Sequence, residues 1–495
     1  STSERYMPPP RQLPTHFKSS TNSSTSLLKP PLPPATSATT ASTAQSLPPV
    51  IQALASGGLP ADLEPVDAPA IREGSVRYAR PAVWGFFALG VGILFPWSSL
   101  VAMLDFWTVA LPGKNVELAL ANAYLWPMWA VISLILVGLL PLTPSSAILG
   151  GFVAYAFAAA SIPAALVLLG LSPFTAATDL PTSAAASLGL EAVLAAAAAV
   201  GAANGVAQSS LFGAAGACGP PEWTHALCAG QGLSAVMSAV LRVATKALVM
   251  GGRSQGARHV EAVWEGSLWY FGGWALTSIV GVFAWQKVRA IIDSSADMEG
   301  EPPLPLNIGP RLGSSWSSNL RLLGRVASLA GEPAVAVFTT YVITLAIYPG
   351  FIFGIAPPAG FSAEQAEWWG IGLVTNFAVF DYLGRHVAAH VAAAESAKGV
   401  LRFRVMYLAR TAFIPLAYAV HRGEAAKVVG MTLLVAGLSF TNGVVGTMAM
   451  MRGPEQMSEE ADEEARHLAG FFMTWSLVSG LAVGGGLGNA VAANL

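Results

Sequence analysis

The sequence predicts an all-α polytopic membrane protein, and three observations carry that reading. The chain is 54% hydrophobic and only 11% charged, against roughly 25% charged residues in soluble domains. Several apolar runs reach the ~20 residues that cross a bilayer as a helix. One of them, from about Trp368 to Val391, keeps an acid and a base four residues apart, Asp381 and Arg385. Two residues at that spacing share one face of a helix. A charge at mid-membrane costs about 2.5–3.5 kcal/mol even on a mild insertion scale. Such a pair is expected to line a polar pathway, with Phe377, Gly384 and Ala388 on or near the same face.

Residues 1–70 are rich in Ser, Thr, Pro and Ala and poor in apolar side chains, so this segment is expected to be a disordered tail. A cytosolic tail is the favoured reading, although an organelle transit peptide shares the composition. Eleven spans are expected, near 81–104, 119–141, 146–171, 186–212, 223–250, 264–290, 328–354, 366–391, 399–421, 425–450 and 464–492. The segment 291–327, with Pro302, Pro303, Pro305 and Pro310, is the longest internal break. It divides the chain into six spans (81–290) and five (328–492), joined by a cytoplasmic linker. Arg72, Arg77, Arg80, Lys287, Arg289, Arg311, Arg321, Arg325, Lys398, Arg402, Arg404, Arg452 and Arg466 would fall on one side. The opposite loops hold Lys114, Arg253, Arg258, Arg422 and Lys427. This imbalance places the N-terminus in the cytosol and the C-terminus outside.

The first span contains Pro96, which removes a backbone hydrogen bond in mid-membrane. Trp97 follows it. At that depth its flat face could serve a planar ligand or pack on the kink. In the fourth span Asn204 and Gln208 share a face. An amide both donates and accepts, which suits the edge of a base, and equally suits bonding to a neighbouring helix. The fifth span buries Gln231 and Arg242, the latter deep enough to need a partner, while Lys246 lies near its outer end. In the seventh, Thr339, Thr340 and Thr344 add hydroxyls, and Tyr348-Pro349-Gly350 marks a break where a gate could bend. The cluster Gly484–Gly488 reads as close helix packing rather than a phosphate loop.

Other classes fit poorly. There is no basic stripe with interleaved aromatics for nucleic acid and no Walker motif. Cys218, Cys228 and His225 make an incomplete zinc set, and their turn favours reduced thiols. An intramembrane enzyme would need a clustered ligand or acid–base set that His386 and His390 do not complete. No cofactor is called for. A receptor or scaffold that has lost transport is the remaining alternative.

Ordered motifs make the sequence resemble the equilibrative nucleoside transporter family. They are Gly90-Val91-Gly92-Ile93-Leu94-Phe95-Pro96-Trp97, Gln208-Ser209-Ser210-Leu211-Phe212-Gly213, Gly230-Gln231-Gly232-Leu233 and Leu241 to Ala247. Further on come Phe380-Asp381-Tyr382-Leu383-Gly384-Arg385, Leu408-Ala409-Arg410, Thr441-Asn442-Gly443 and Leu468 to Phe472. They occur in the family's order over most of residues 80–492. The resemblance implies a major-facilitator-like bundle of six plus five helices around a central cavity, working by alternating access on nucleosides or nucleobases. By matching position, Leu94 and Trp97 would border the base, Gln208 would hydrogen-bond it, Asp381 and Arg385 would engage the ribose side, and Leu481 would lie near the cavity. Arg242, Tyr348 and His467 are the candidates for gating or coupling. Ser98, Ala378 and His467 depart from the family pattern and bear on substrate preference and gate energetics. Facilitated passage is the leading expectation. Proton-coupled symport is the alternative, with Asp381 or His467 exchanging the proton, since an imidazole titrates near neutral pH. The plasma membrane is the expected location, with membrane lipid the constant partner.

Overall fold

The structure is a computed structural model and describes residues 73–114, 116–140, 143–174, 182–249, 257–299, 316–352, 357–358, 360–393, 399–423, 427–457 and 463–492. The expected tail at 1–70 and the prolines of the expected linker lie outside the described residues. Ile71–Leu495 forms one compact unit, and every regular element described in it is helical.

The helices are α1 Glu73–Ala102, the short α2 Leu104–Ala110, α3 Glu117–Leu136, α4 Pro144–Leu168, α5 Thr182–Cys218 and α6 Pro221–Ala244. They continue as α7 Ala257–Glu299, α8 Trp316–Leu329, α9 Gly331–Leu345, α10 Ala363–Ala393, α11 Gly399–Ala409, α12 Phe413–Arg422, α13 Lys427–Glu455 and α14 Glu463–Ala492. Local chemistry sets their ends. Pro144 and Pro221 open α4 and α6 at positions where a missing N–H costs nothing. Both α3 and α4 close on a glycine with positive φ, Gly138 at 77° and Gly170 at 71°. The Leu139 and Leu171 amides then reach back to the Leu134 and Leu166 carbonyls, which satisfies the orphan carbonyls of the last turn.

Nine of these helices are long and apolar enough to cross a membrane, counted among the described residues. The other two expected spans coincide with α10 and with the α11–α12 pair. The first of these carries Glu364, Glu367, Asp381 and Arg385. The second is interrupted by a 3-10 turn at Arg410–Ala412, three residues before Pro415, whose ring and missing N–H disfavour a continuous helix there. Large apolar side chains point outward along the spans, among them Phe157 at 73% and Phe283 at 64% exposure. In water each would forfeit about 1.5–3 kcal/mol, whereas lipid accepts them.

Helices occupy both ends of the expected linker 291–327. Helix α7 runs on to Glu299, and α8 occupies Trp316–Leu329. The apolar positions Leu322, Val326 and Leu329 recur at helical spacing beside Arg321 and Arg325. Val326 packs with Ala330, Met457, Ala465 and Ala469.

Helix contacts repeat between the two parts of the chain. Helix α1 lies against α6 as α9 lies against α14, and α3 lies against α5 as α10 lies against α13. Between the parts, α6 meets α10 and α14 meets α3, while α5 meets α14 and α6 meets α13. Glycines make the closest crossings. A Cβ on Gly90 would sit 2.2 Å from the Leu227 carbonyl oxygen, and one on Gly230 2.0 Å from that of Phe87. A Cβ on Gly384 would sit 2.1 Å from the Phe440 oxygen, and one on Gly443 2.1 Å from that of Asp381. Gly480, Gly484 and Gly488, four apart, press α14 onto the α9 backbone, as small residues do in membranes.

Gly384→Val should therefore force α10 and α13 apart and lower the melting temperature of the purified protein by several degrees, since overpacking costs about 1–3 kcal/mol. Gly150→Ala, where nothing lies within 4 Å, should melt at or slightly above the wild-type temperature in the same thermal-shift assay.

Candidate functional site

The close crossing of α10 and α13 brings two buried side chains together. Arg385 Nε donates to Asp381 Oδ2 at 2.7 Å across one turn of α10. The other carboxylate oxygen, Oδ1, accepts from Asn442 Nδ2 on α13 at 2.7 Å. Asn442 Oδ1 in turn accepts from the Thr344 hydroxyl of α9 at 2.8 Å. Arg410, in the 3-10 turn between α11 and α12, donates through Nη2 to Thr344 Oγ1 at 2.6 Å and through Nη1 to the Leu438 carbonyl at 3.1 Å. Its Nη1 also reaches Thr441 Oγ1.

The network extends into the first part of the chain. Arg385 Nη1 donates to the Cys228 carbonyl of α6 at 3.0 Å, and His225 Nε2 donates to the Arg385 carbonyl at 2.9 Å. Asp381, Arg385, Asn442, Thr344 and Arg410 are all buried. One carboxylate thus binds Arg385 directly, while Arg410 is linked to it only through Thr344 and Asn442. Desolvating each ion costs several kcal/mol, and charge-assisted hydrogen bonds with good geometry offset it.

The other expected residues lie on different helices. Trp97 on α1 is half-buried, and its ring packs on Tyr124 of α3 at a centroid distance of 4.6 Å. Leu94, one turn earlier, and Leu481 on α14 are also half-buried. Gln208 on α5 is 3% exposed. Among the described residues, no hydrogen bond joins Trp97 or Gln208 to the Asp381–Arg385 pair. The Gln208 amide has no partner among them either, so its donor and acceptor capacity is unused. Asn204, one turn before it, is committed to neighbouring helices. Its Nδ2 donates to the Ile93 carbonyl at 2.9 Å and to the Tyr124 hydroxyl at 2.5 Å. Beside Trp97, the Ser98 and Ser234 hydroxyls lie 3.3 Å apart, and Ser238 donates to the Ser98 carbonyl at 2.9 Å.

The gate candidates are spread over both ends of the bundle. The helix continuing from α9 breaks at Tyr348, where φ is −128° and ψ is 126°. The Tyr348 ring stacks on Phe377 of α10 at 4.3 Å. Arg242 finds its partner in Asp105 of α2. Lys246 pairs with Glu367 of α10. His467, five residues into α14, is buried with its ring 4.9 Å from that of Phe471 and against Gly213 of α5. Crossing contacts of another kind join α3 and α14. Trp129 Nε1 donates to Ser479 Oγ and Trp475 Nε1 donates to Ser133 Oγ, both at 3.0 Å. Among the described residues, no three His, Cys, Asp or Glu side chains gather as a metal site would require.

Sequence reasoning gave no role to Arg410, Tyr124 or Asn442. Arg410 was visible as a lone base in an apolar run, which is a signal by itself. The Asn-Gly-Val triplet, at 204–206 and again at 442–444, was the unread signal for the two asparagines.

This architecture defines a polytopic membrane protein with a major-facilitator-like fold. Two solved structures share it. The E. coli fucose:proton symporter is 12% identical, with a TM-score of 0.52 over 82% of this chain and 90% of that one. The proton:xylose symporter of the same superfamily is also 12% identical, with a TM-score of 0.54 over 83% of this chain and 88% of that one. The nucleoside transporter family model matches residues 325–490. The chain is 24% identical over 425 residues to equilibrative nucleotide transporter 1 of Arabidopsis thaliana, covering 83% of this chain and 88% of the relative. Nucleoside transporter 1.2 of Leishmania donovani is 30% identical over 155 residues, 30% of this chain and 29% of the relative. The chain is thus similar to equilibrative nucleoside transporters over most of its length, with the family model matching its second part.

Proposed function

We propose that this protein carries nucleosides, and nucleobases as a related cargo, across the plasma membrane by facilitated alternating access. The observation that carries the reading is the buried Asp381–Arg385 pair, seated where α10 meets both α13 and α6. A charged pair at such depth is retained for use in a pathway. Family resemblance and relatives named as nucleoside transporters give the cargo class, and they favour transport over catalysis.

The site's parts suit that cargo. The half-buried Trp97 offers a π-face to a planar base. The uncommitted amide of Gln208 can donate and accept at a base edge. Asp381 and Arg385 supply an acceptor and donors for ribose hydroxyls. Leu94 and Leu481 complete apolar walls. A carrier must also release its load, so few and modest contacts are appropriate.

The six helices α1 and α3–α7 and the five spans from α9 to α14 would rock against each other around this site. With the N-terminus cytosolic, Lys246 and Glu367 stand at the outer end, where α6 and α10 meet. An ion pair this exposed contributes only about 0–1 kcal/mol. That is enough to bias closure without locking it. Tyr348 and Phe377 would form an aromatic layer toward the same end, at the break in the α9 helix. His225 and His467 would lie toward the cytosol. A C-terminal tag should then be reached by a membrane-impermeant label on intact cells; labelling only after permeabilisation contradicts this orientation.

The decisive assay is uptake of labelled adenosine, uridine and hypoxanthine into proteoliposomes, with and without an inward proton gradient. Saturable uptake that equilibrates, indifferent to the gradient, is expected. Trp97→Ala should raise KM about 5- to 150-fold, because stacking of a base on an aromatic ring is worth about 1–3 kcal/mol. Accumulation driven by the gradient would instead establish proton symport. Absence of uptake by folded wild-type protein would overturn the reading.

A further inference from the structure

The repeated helix contacts place the same polar device in both parts of the chain. In α13, Asn442 is followed by Gly443. Its amide joins Asp381 of α10 to Thr344 of α9 at 2.7 and 2.8 Å, and Gly443 presses on the α10 backbone, its Cβ position 2.7 Å from Arg385 N. In α5, Asn204 is followed by Gly205. Its amide joins Tyr124 of α3 to the Ile93 carbonyl of α1 at 2.5 and 2.9 Å, and Gly205 presses on the α3 backbone, its Cβ position 2.8 Å from Met128 O. Helices α5, α3 and α1 stand to one another as α13, α10 and α9 do.

The correspondence extends one turn further. Trp97 follows Ile93 by four residues, as Tyr348 follows Thr344. Each ring packs on an aromatic of the neighbouring helix, Trp97 tilted by 35° against Tyr124 at 4.6 Å and Tyr348 stacked on Phe377 at 4.3 Å. The two devices differ in what the asparagine holds. In the second part it holds a carboxylate, and in the first a neutral phenol whose ring supports Trp97.

We propose that Tyr124 and Asn204 are positioning residues for the Trp97 ring and so set how the carrier discriminates among bases. Asn204 ties the Tyr124 hydroxyl to the α1 backbone one turn before Trp97. The ring beneath Trp97 and the backbone that bears it are thereby fixed by one amide. The counterpart at Asn442 fixes Asp381, and governs the sugar side instead. This inference rests on the nucleoside-transport reading.

The test measures KM and maximal rate for adenosine, uridine and 2′-deoxyadenosine in proteoliposomes of wild type, Tyr124→Phe, Tyr124→Leu and Asn204→Ala. Expected is a shift of at least threefold in the adenosine-to-uridine KM ratio for Tyr124→Phe, larger for Tyr124→Leu, with the adenosine-to-deoxyadenosine ratio and the maximal rate within twofold of wild type. Equal changes in all three KM values, or none, would mean a merely structural role and overturn the proposal. Should Asn204→Ala fail to fold, Tyr124→Phe decides alone, because it removes one hydroxyl and keeps the ring. A wild type that carries none of the three removes the transport reading and this proposal with it.

Discussion

A buried network of one carboxylate and two arginines is the constraint on which the second part of the structure depends. Asp381 binds Arg385 directly and reaches Arg410 through Asn442 and Thr344. The five groups come from α9, α10, the turn before α12, and α13. None of these elements can slide without leaving an ion unsatisfied, which inside a protein costs about 3–5 kcal/mol. The close approach required is provided by Gly384 and Gly443, which leave no side chain between the backbones.

The same network reaches out of its own part. Arg385 donates to the Cys228 carbonyl, and His225 holds the carbonyl of Arg385. Helix α6 is therefore tied to α10 at the level of the charged pair and again at Lys246–Glu367. On the opposite seam, α3 and α14 exchange two Trp–Ser hydrogen bonds. Parting these seams would break neutral hydrogen bonds worth about 0.5–1.5 kcal/mol each, the charge-assisted Arg385–Cys228 bond worth about 1.5–3 kcal/mol, and one exposed ion pair. The buried charged core can meanwhile keep its bonds within the second part.

Much of this was legible in the sequence, and the limits have physical causes. The spacing of Asp381 and Arg385 fixed their pairing, because one helical turn is a local fact. Trp97 stood out by depth and Gln208 by polarity. The break at Tyr348 followed from Pro349 and Gly350, and the packing of Gly484 and Gly488 from their spacing. Arg410 was different. Its partners Thr344 and Leu438 are distant in sequence or across a broken helix, and periodicity carries no information about either. Helix α8 was not read within the expected linker, because the neighbouring prolines dominate the local pattern there. Asn204 could be read as a base-edge group or as an interhelical bond, and only the positions of Ile93 and Tyr124 decide for the second.

The Asp381–Arg385 pair is proposed to serve both architecture and cargo. The direct test compares melting temperature and nucleoside affinity for Asp381→Asn, Arg385→Leu and the double variant Asp381→Asn/Arg385→Leu. The account predicts that the single variants melt well below wild type, that the double variant recovers part of the loss, and that all three lose affinity at least tenfold. A folded double variant that binds nucleoside as tightly as wild type would contradict it, leaving the pair a structural element alone.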